Sequence, residues 1–177
     1  MNRGVSVQPA ARAAAHTCTI ESRSPEQTSR IGEQIGHGLR AGDVLLLRGD
    51  LGAGKTQFAR GVAAGLAIPG PIPSPTFTLV NEYDGRNRSG ARVPLAHIDL
   101  YRLGDGGDLD SLGLDDYLGG AWAVVIEWPE RAVDGGFVPP TYLDVALVGT
   151  GESSRTLVFT VHGDAVGLLD LIGPDAP

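Results

Sequence analysis

The stretch 44-VLLLRGDLGAGKT-56 decides the fold, because a short apolar run there passes into a glycine-rich turn and then into a helical pattern. Asp43 to Arg48 reads as a strand buried on both faces, and Lys55 to about Leu66 as a helix stopped by the run 69-PGPIP-73. Lys55 is the only lysine in the chain, whereas thirteen arginines serve every other cationic position. An ammonium is a compact charge on a flexible stem, and it fits a narrow loop that a broad planar guanidinium does not.

Gly49-Asp50-Leu51-Gly52-Ala53-Gly54-Lys55-Thr56 matches the P-loop pattern GxxxxGK[ST] in the context that pattern requires, a buried strand before it and a helix after it. Its glycines let the backbone N–H groups of the loop, from Asp50 to Lys55, point at phosphate oxygens, and the helix adds its positive N-terminal end. Lys55 then delivers charge to the β- and γ-phosphates, and the Thr56 hydroxyl is a Mg²⁺ ligand. A nucleoside triphosphate with Mg²⁺ is the expected ligand of such a loop.

A nucleotide site also needs an acidic metal partner. In 97-HIDLYR-102, Asp99 stands near the end of an apolar strand, where ligand-facing residues of an α/β sheet collect. Glu127, closing the strand from Trp122, is the second candidate. Either carboxylate can hold the metal, hold its water or orient an attacking water, and the bland reading of each is a solvated strand end. Trp128 offers a flat π-face to a nucleobase or is core packing. Ser74-Pro75-Thr76-Phe77 is a loop able to sense a γ-phosphate or simply a proline-punctuated turn.

Further along the chain, Thr17 to Glu21 reads as a strand. Ser24-Pro25-Glu26-Gln27 starts a helix running to about Arg40 and ending at Gly42, with Ile31, Ile35 and Leu39 on one face. Phe77 to Tyr83 and Arg92 to Leu100 read as a hairpin joined by the loop 84-DGRNRSG-90. A helix near Leu109 to Leu118, a second hairpin from Tyr142 to Val148 and Arg155 to Val161, and a small helix from about Asp164 to Ile172 complete the reading. The expected fold is α/β, a three-layer sandwich with a mixed, partly parallel central sheet. Residues 17–173 form one domain in this reading, and residues 1–16 a flexible N-terminal arm.

Composition excludes several classes. The chain has 177 residues, 42% hydrophobic and 20% charged, with no run near the roughly 18 apolar residues of a membrane span. A single cysteine, Cys18, cannot form an intrachain disulfide, and His16, His37, His97 and His162 show no metal-ligand spacing. A cytoplasmic location is expected and a structural zinc is not. The net charge of -7 opposes tight, autonomous binding of nucleic acid. An NKxD element for guanine is impossible when the only lysine lies in the glycine loop, so GTP is disfavoured. A small-molecule kinase needs a lid carrying arginines, and none is evident.

Four segments, GDLGAGKT, SPTFTLVNEY, HIDLYRL and IEWPER, in that order and spacing, resemble the TsaE family, also called YjeE. The resemblance covers roughly Ser24 to Arg131. It implies a P-loop NTPase-like fold and an ATPase, stimulated by its partners TsaB and TsaD, in the threonylcarbamoyl modification of adenosine 37 of tRNAs reading ANN codons. Transfer chemistry then belongs to TsaD, and tRNA is met only through the complex. The resemblance makes Lys55 the phosphate ligand, Thr56 a Mg²⁺ ligand, Thr76 the switch-like residue and Asp99 the Walker B-like carboxylate. It makes Glu127 a metal or catalytic carboxylate and Trp128 the adenine-side aromatic. Gln57 stands where relatives carry a second hydroxyl, so an α-phosphate contact there comes from an amide or from backbone. A freestanding phosphotransferase and a nucleotide-binding regulator are the competing classes.

Overall fold

A computed structural model describes residues 16–103, 112–134, 136–137 and 139–172. The expected arm, apart from His16, and the first part of the helix expected from Leu109 lie outside the described residues. Seven strands form one sheet in the order β1-β7-β6-β2-β5-β4-β3. They are β1 (Thr17–Ser22), β2 (Val44–Arg48), β3 (Val80–Arg86), β4 (Arg92–Asp99), β5 (Ala123–Glu127), β6 (Tyr142–Gly149) and β7 (Arg155–His162). The central block β6-β2-β5-β4 is parallel; β7 and β1 extend it antiparallel at one edge, and β3 at the other. The mixed α/β sheet is the expected one.

Helices α1 (Pro25–Gly38) and α2 (Lys55–Gly65) cover one face, and the short helices α3 (Leu114–Leu118) and α4 (Glu130–Asp134) lie on the other. The period of two along each strand divides the core accordingly. Leu45, Leu47, Val125, Leu143 and Val145 point toward α1 and α2, while Val44, Leu46, Ile98, Val124 and Ile126 point toward α3 and α4. Strands β2 and β5 are buried on both faces, whereas β6 and β7 alternate, their buried apolar residues facing α1 and α2.

Ser24 caps α1, its Oγ accepting from the Gln27 amide at 3.2 Å, and Gln27 Oε1 accepts in return from the Arg23 amide at 2.8 Å. The helix ends at Gly38 and not near Arg40, since the hairpin turn takes its last carbonyls: Arg88 N–H donates to His37 O at 3.0 Å and Asn87 Nδ2 to Leu39 O at 3.0 Å. Gly42, at φ 96°, serves the following turn instead. Where α1 crosses α2 the backbones touch. A Cβ at Gly32, Gly36, Gly61 or Gly65 would overlap a carbonyl oxygen of the facing helix, so these four positions set how closely α2 approaches α1.

The first hairpin departs from expectation at both ends. β3 begins at Val80, not Phe77, because Leu79 turns at φ 64° with its amide on Pro75 O at 2.7 Å. The strand also runs on through Asp84 and Gly85 to Arg86, leaving a turn at Asn87–Ala91 in which Asn87 Oδ1 accepts from the Ser89 and Ala91 amides. The C-terminal element is a 3-10 helix, Ala165–Leu171. Helix α4, absent from the sequence reading, forms directly after Pro129. No helix among the described residues is long and apolar enough to cross a membrane.

Candidate functional site

The carboxyl ends of β2, β4 and β5 open on a cleft of about 290 Å³ in front of the N-terminus of α2. Leu51, Gly52, Gly54, Lys55, Thr56, Gln57, Thr76, Asp99, Glu127 and Trp128 all line it, as do Ser74 and Tyr101. Asp50 and Ala53 complete the loop without lining the cleft. Gly54 stands at φ 104°, a conformation costly for any side chain, and its left-handed turn is what starts α2.

Lys55 is buried. Its ammonium donates to Gly49 O at 2.6 Å and Asp50 O at 2.9 Å, and lies 3.9 Å from the centre of the Trp128 ring. Burial pushes its pKa below the ordinary lysine value, against the opposing charges of Glu127, Glu130, Asp99 and Asp50. Trp128 reaches this position from a left-handed backbone, φ 60°, an arrangement that costs about 1–3 kcal/mol for a side-chain-bearing residue. Its ring also packs against Tyr101, with centroids 4.9 Å apart. The structure thus places Trp128 beside the ammonium that the loop presents.

Register explains the carboxylates. Asp99 and Glu127 are paired across β4 and β5, so both side chains leave the sheet on the α2 side. Glu127 Oε2 accepts from Thr56 Oγ1 at 3.1 Å, and Oε1 meets His97 Nε2 at 2.8 Å. Asp99 faces the loop wall: Oδ2 accepts from Thr76 Oγ1 at 2.5 Å and Ser74 Oγ at 3.3 Å, and Oδ1 from the Tyr101 amide at 2.9 Å. Gln57 lines the cleft while its amide oxygen accepts from Arg60 Nη1 at 3.3 Å. Phe77, 80% exposed and outside the cleft lining, lies under the Arg102 guanidinium.

The sequence reading omits His97 and Tyr101 from the site and names Ser74 only as part of the Ser74–Phe77 loop. For His97 a signal was present: it stands two residues before Asp99 on the same strand, and hence on the same face. Oxygen donors from one hydroxyl and two carboxylates, with room for water and phosphate oxygens, suit Mg²⁺. Among the described residues no group of three or more His, Cys, Asp or Glu forms a self-contained metal site.

A glycine loop between a buried strand and a helix, facing carboxylates at adjacent parallel strand ends, defines a protein of P-loop NTPase-like fold. The family model for the threonylcarbamoyl adenosine biosynthesis protein TsaE matches residues 22–157, and the chain belongs to that family. It is 45% identical over 139 residues to the tRNA threonylcarbamoyladenosine biosynthesis protein TsaE of Nostoc sp. strain PCC 7120, covering 76% of this chain and 80% of the relative. To the protein of the same name from Bacillus subtilis strain 168 it is 36% identical, over 82% and 87% of the two chains. The fold superimposes on the crystal structure of Bacillus subtilis YdiB with a TM-score of 0.72 and 32% identity, over 89% of this chain and 94% of that one.

Proposed function

We propose that the chain is a Mg²⁺-dependent ATPase that supports the threonylcarbamoyl modification of adenosine 37 in tRNAs reading ANN codons, acting with TsaB and TsaD. The observation that carries the reading is the meeting of Lys55, Thr56, Glu127 and Asp99 in one cleft at the start of α2. Loop amides and the helix N-terminus hold the phosphates, and Lys55 exchanges its loop carbonyls for β- and γ-phosphate oxygens. Thr56 and Glu127 hold the metal side, and Asp99 joins that side to the Ser74–Thr76 loop. Bound Mg²⁺ supplies charge neutralisation on the phosphate oxygens. Thr76, hydrogen-bonded to Asp99, is the residue through which a γ-phosphate is sensed.

The chain's own charge of -7 does not favour a polyanion, so tRNA is met through the complex. In this role hydrolysis resets the complex, and the transfer chemistry belongs to TsaD. Phosphate release with Mg-ATP, measured with and without TsaB and TsaD, tests the proposal. Partners are expected to raise the rate, and Glu127→Gln or Asp99→Asn to lower it about 100-fold while ATP still binds, through lost positioning and transition-state electrostatics. Vigorous hydrolysis by the isolated chain, indifferent to partners, would favour a freestanding phosphotransferase.

A further inference from the structure

We infer that His97 is a positioning residue: its imidazole donates from Nε2 to Glu127 Oε1 and thereby keeps the second oxygen, Oε2, on Thr56. The inference deepens the ATPase reading and rests on it for its functional consequence. His97 pairs in register with Val125, and Glu127 with Asp99, so His97 and Glu127 are diagonal neighbours on the α2 face of the sheet. Their side chains are 1% and 3% exposed, and the contact is 2.8 Å. Each carboxylate oxygen of Glu127 therefore has its own partner, which fixes the rotation of the carboxylate as well as its place.

The tautomer follows from the surroundings. His97 Nδ1 is buried with no hydrogen-bond partner among the described residues. Were the neutral imidazole to carry its proton there, a donor would lie buried without an acceptor, and a bare Nε2 would face the carboxylate lone pairs. The Nε2–H form leaves only an unused acceptor. A histidine donating to a ligating carboxylate from behind matches the outer-shell partners that orient metal ligands, whose loss costs about 10- to 100-fold in metal affinity or activity. Without that donor, Glu127 Oε1 would lie in the interior unpaired, and the carboxylate would be drawn off Thr56 toward other donors or water.

Two measurements on the full chain test this. Long-range ¹H–¹⁵N spectra of histidine-labelled protein, with His97 assigned through the signals lost in His97→Gln, are expected to show Nε2 carrying the proton; a bare Nε2 overturns the inference whatever the ATPase result. The second is steady-state hydrolysis, with TsaB and TsaD present, by His97→Leu and His97→Gln, each checked for folding by thermal melting. Leucine removes the donor and is expected to lower kcat at least about tenfold with KM for ATP within about twofold, whereas glutamine, which keeps an N–H in reach, recovers most of the rate. No loss in His97→Leu, or equal loss in both folded variants, overturns the positioning role. Should His97→Leu not fold, the glutamine variant and the spectrum decide. If the wild-type chain fails to hydrolyse ATP even with TsaB and TsaD present, the ATPase reading falls, while the spectrum still decides whether His97 holds Glu127.

Discussion

The two walls of the cleft are built by different physics. One carries Lys55 and Thr56 on α2, His97 on β4 and Glu127 on β5, elements held by parallel strand pairing and by the close contact of α2 with α1, with Lys55, His97 and Glu127 buried. The other is the segment 74–79, with no regular secondary structure, an exposed Phe77 and a left-handed Leu79. Its hold on the site is a pair of hydroxyls on Asp99 and a few backbone bonds. A wall made of buried strand ends opens only with the fold, whereas one made of partly exposed hydrogen bonds opens locally at small cost. Charge placement belongs to the first kind, and the proposed sensing role of Thr76 to the second.

The largest expected effect breaks the rigid wall's electrostatics. Lys55→Ala removes a charge-assisted contact of about 1.5–3 kcal/mol, so ATP affinity by calorimetry is expected to fall roughly 10- to 150-fold. Lys55→Arg is expected to fail as well, because the guanidinium does not fit the space between Gly49 O, Asp50 O and the Trp128 ring. Unchanged affinity in Lys55→Ala would remove this wall from the nucleotide site.

A smaller effect sharpens the contrast. Thr76→Val keeps the shape but deletes the hydroxyl on Asp99, a loss of about 1 kcal/mol of local stability. Hydrogen exchange is expected to accelerate at the Leu79 amide, which donates to Pro75 O, while amides of α2 keep their protection. Equal acceleration in both segments would show the walls to be one cooperative unit.

The smallest effect concerns β3, the strand into which the loop wall leads. Tyr117 donates to Glu82 Oε1 at 2.6 Å, and this bond, helped by burial and by the Glu82 charge, pushes the phenol from its ordinary value of 10.0 up to about 12. A raised value favours the protonated phenol in the folded state. Its stabilisation is therefore complete below pH 10 and lost as pH rises through about 12. Ultraviolet difference titration is expected to show late tyrosine ionisation near pH 12 that falls by one group in Tyr117→Phe.

Much of this was readable in the chain because it is local. The apolar run of β2, the glycine loop and the amphipathic start of α2 are contiguous, and so are the Ser24 cap and the apolar strand ahead of Asp99. The same segment order carried the likeness to the TsaE family. The residues selected from sequence do gather in one cleft, apart from Asp50 and Ala53. Reading failed where a distant partner overrode local preference. Thr76, Phe77 and Thr78 have strand-like side chains, yet Asp99, 23 residues on from Thr76, draws its hydroxyl into a turn over the cleft. Residues 84–86 look like loop because of their glycine and charges, yet β4 pairs with them.

By itself the sequence determined the α/β class, the position of the phosphate-binding pattern and the carboxylates at strand ends, since periodicity, glycine placement and charge are properties of neighbouring residues. Only the tertiary structure decided that His97 stands behind Glu127, 30 residues away, that Trp128 covers the Lys55 ammonium, and that glycines of α1 meet those of α2. Those contacts depend on strand register and on the closeness of two helix backbones, and both are settled by packing the whole sheet at once.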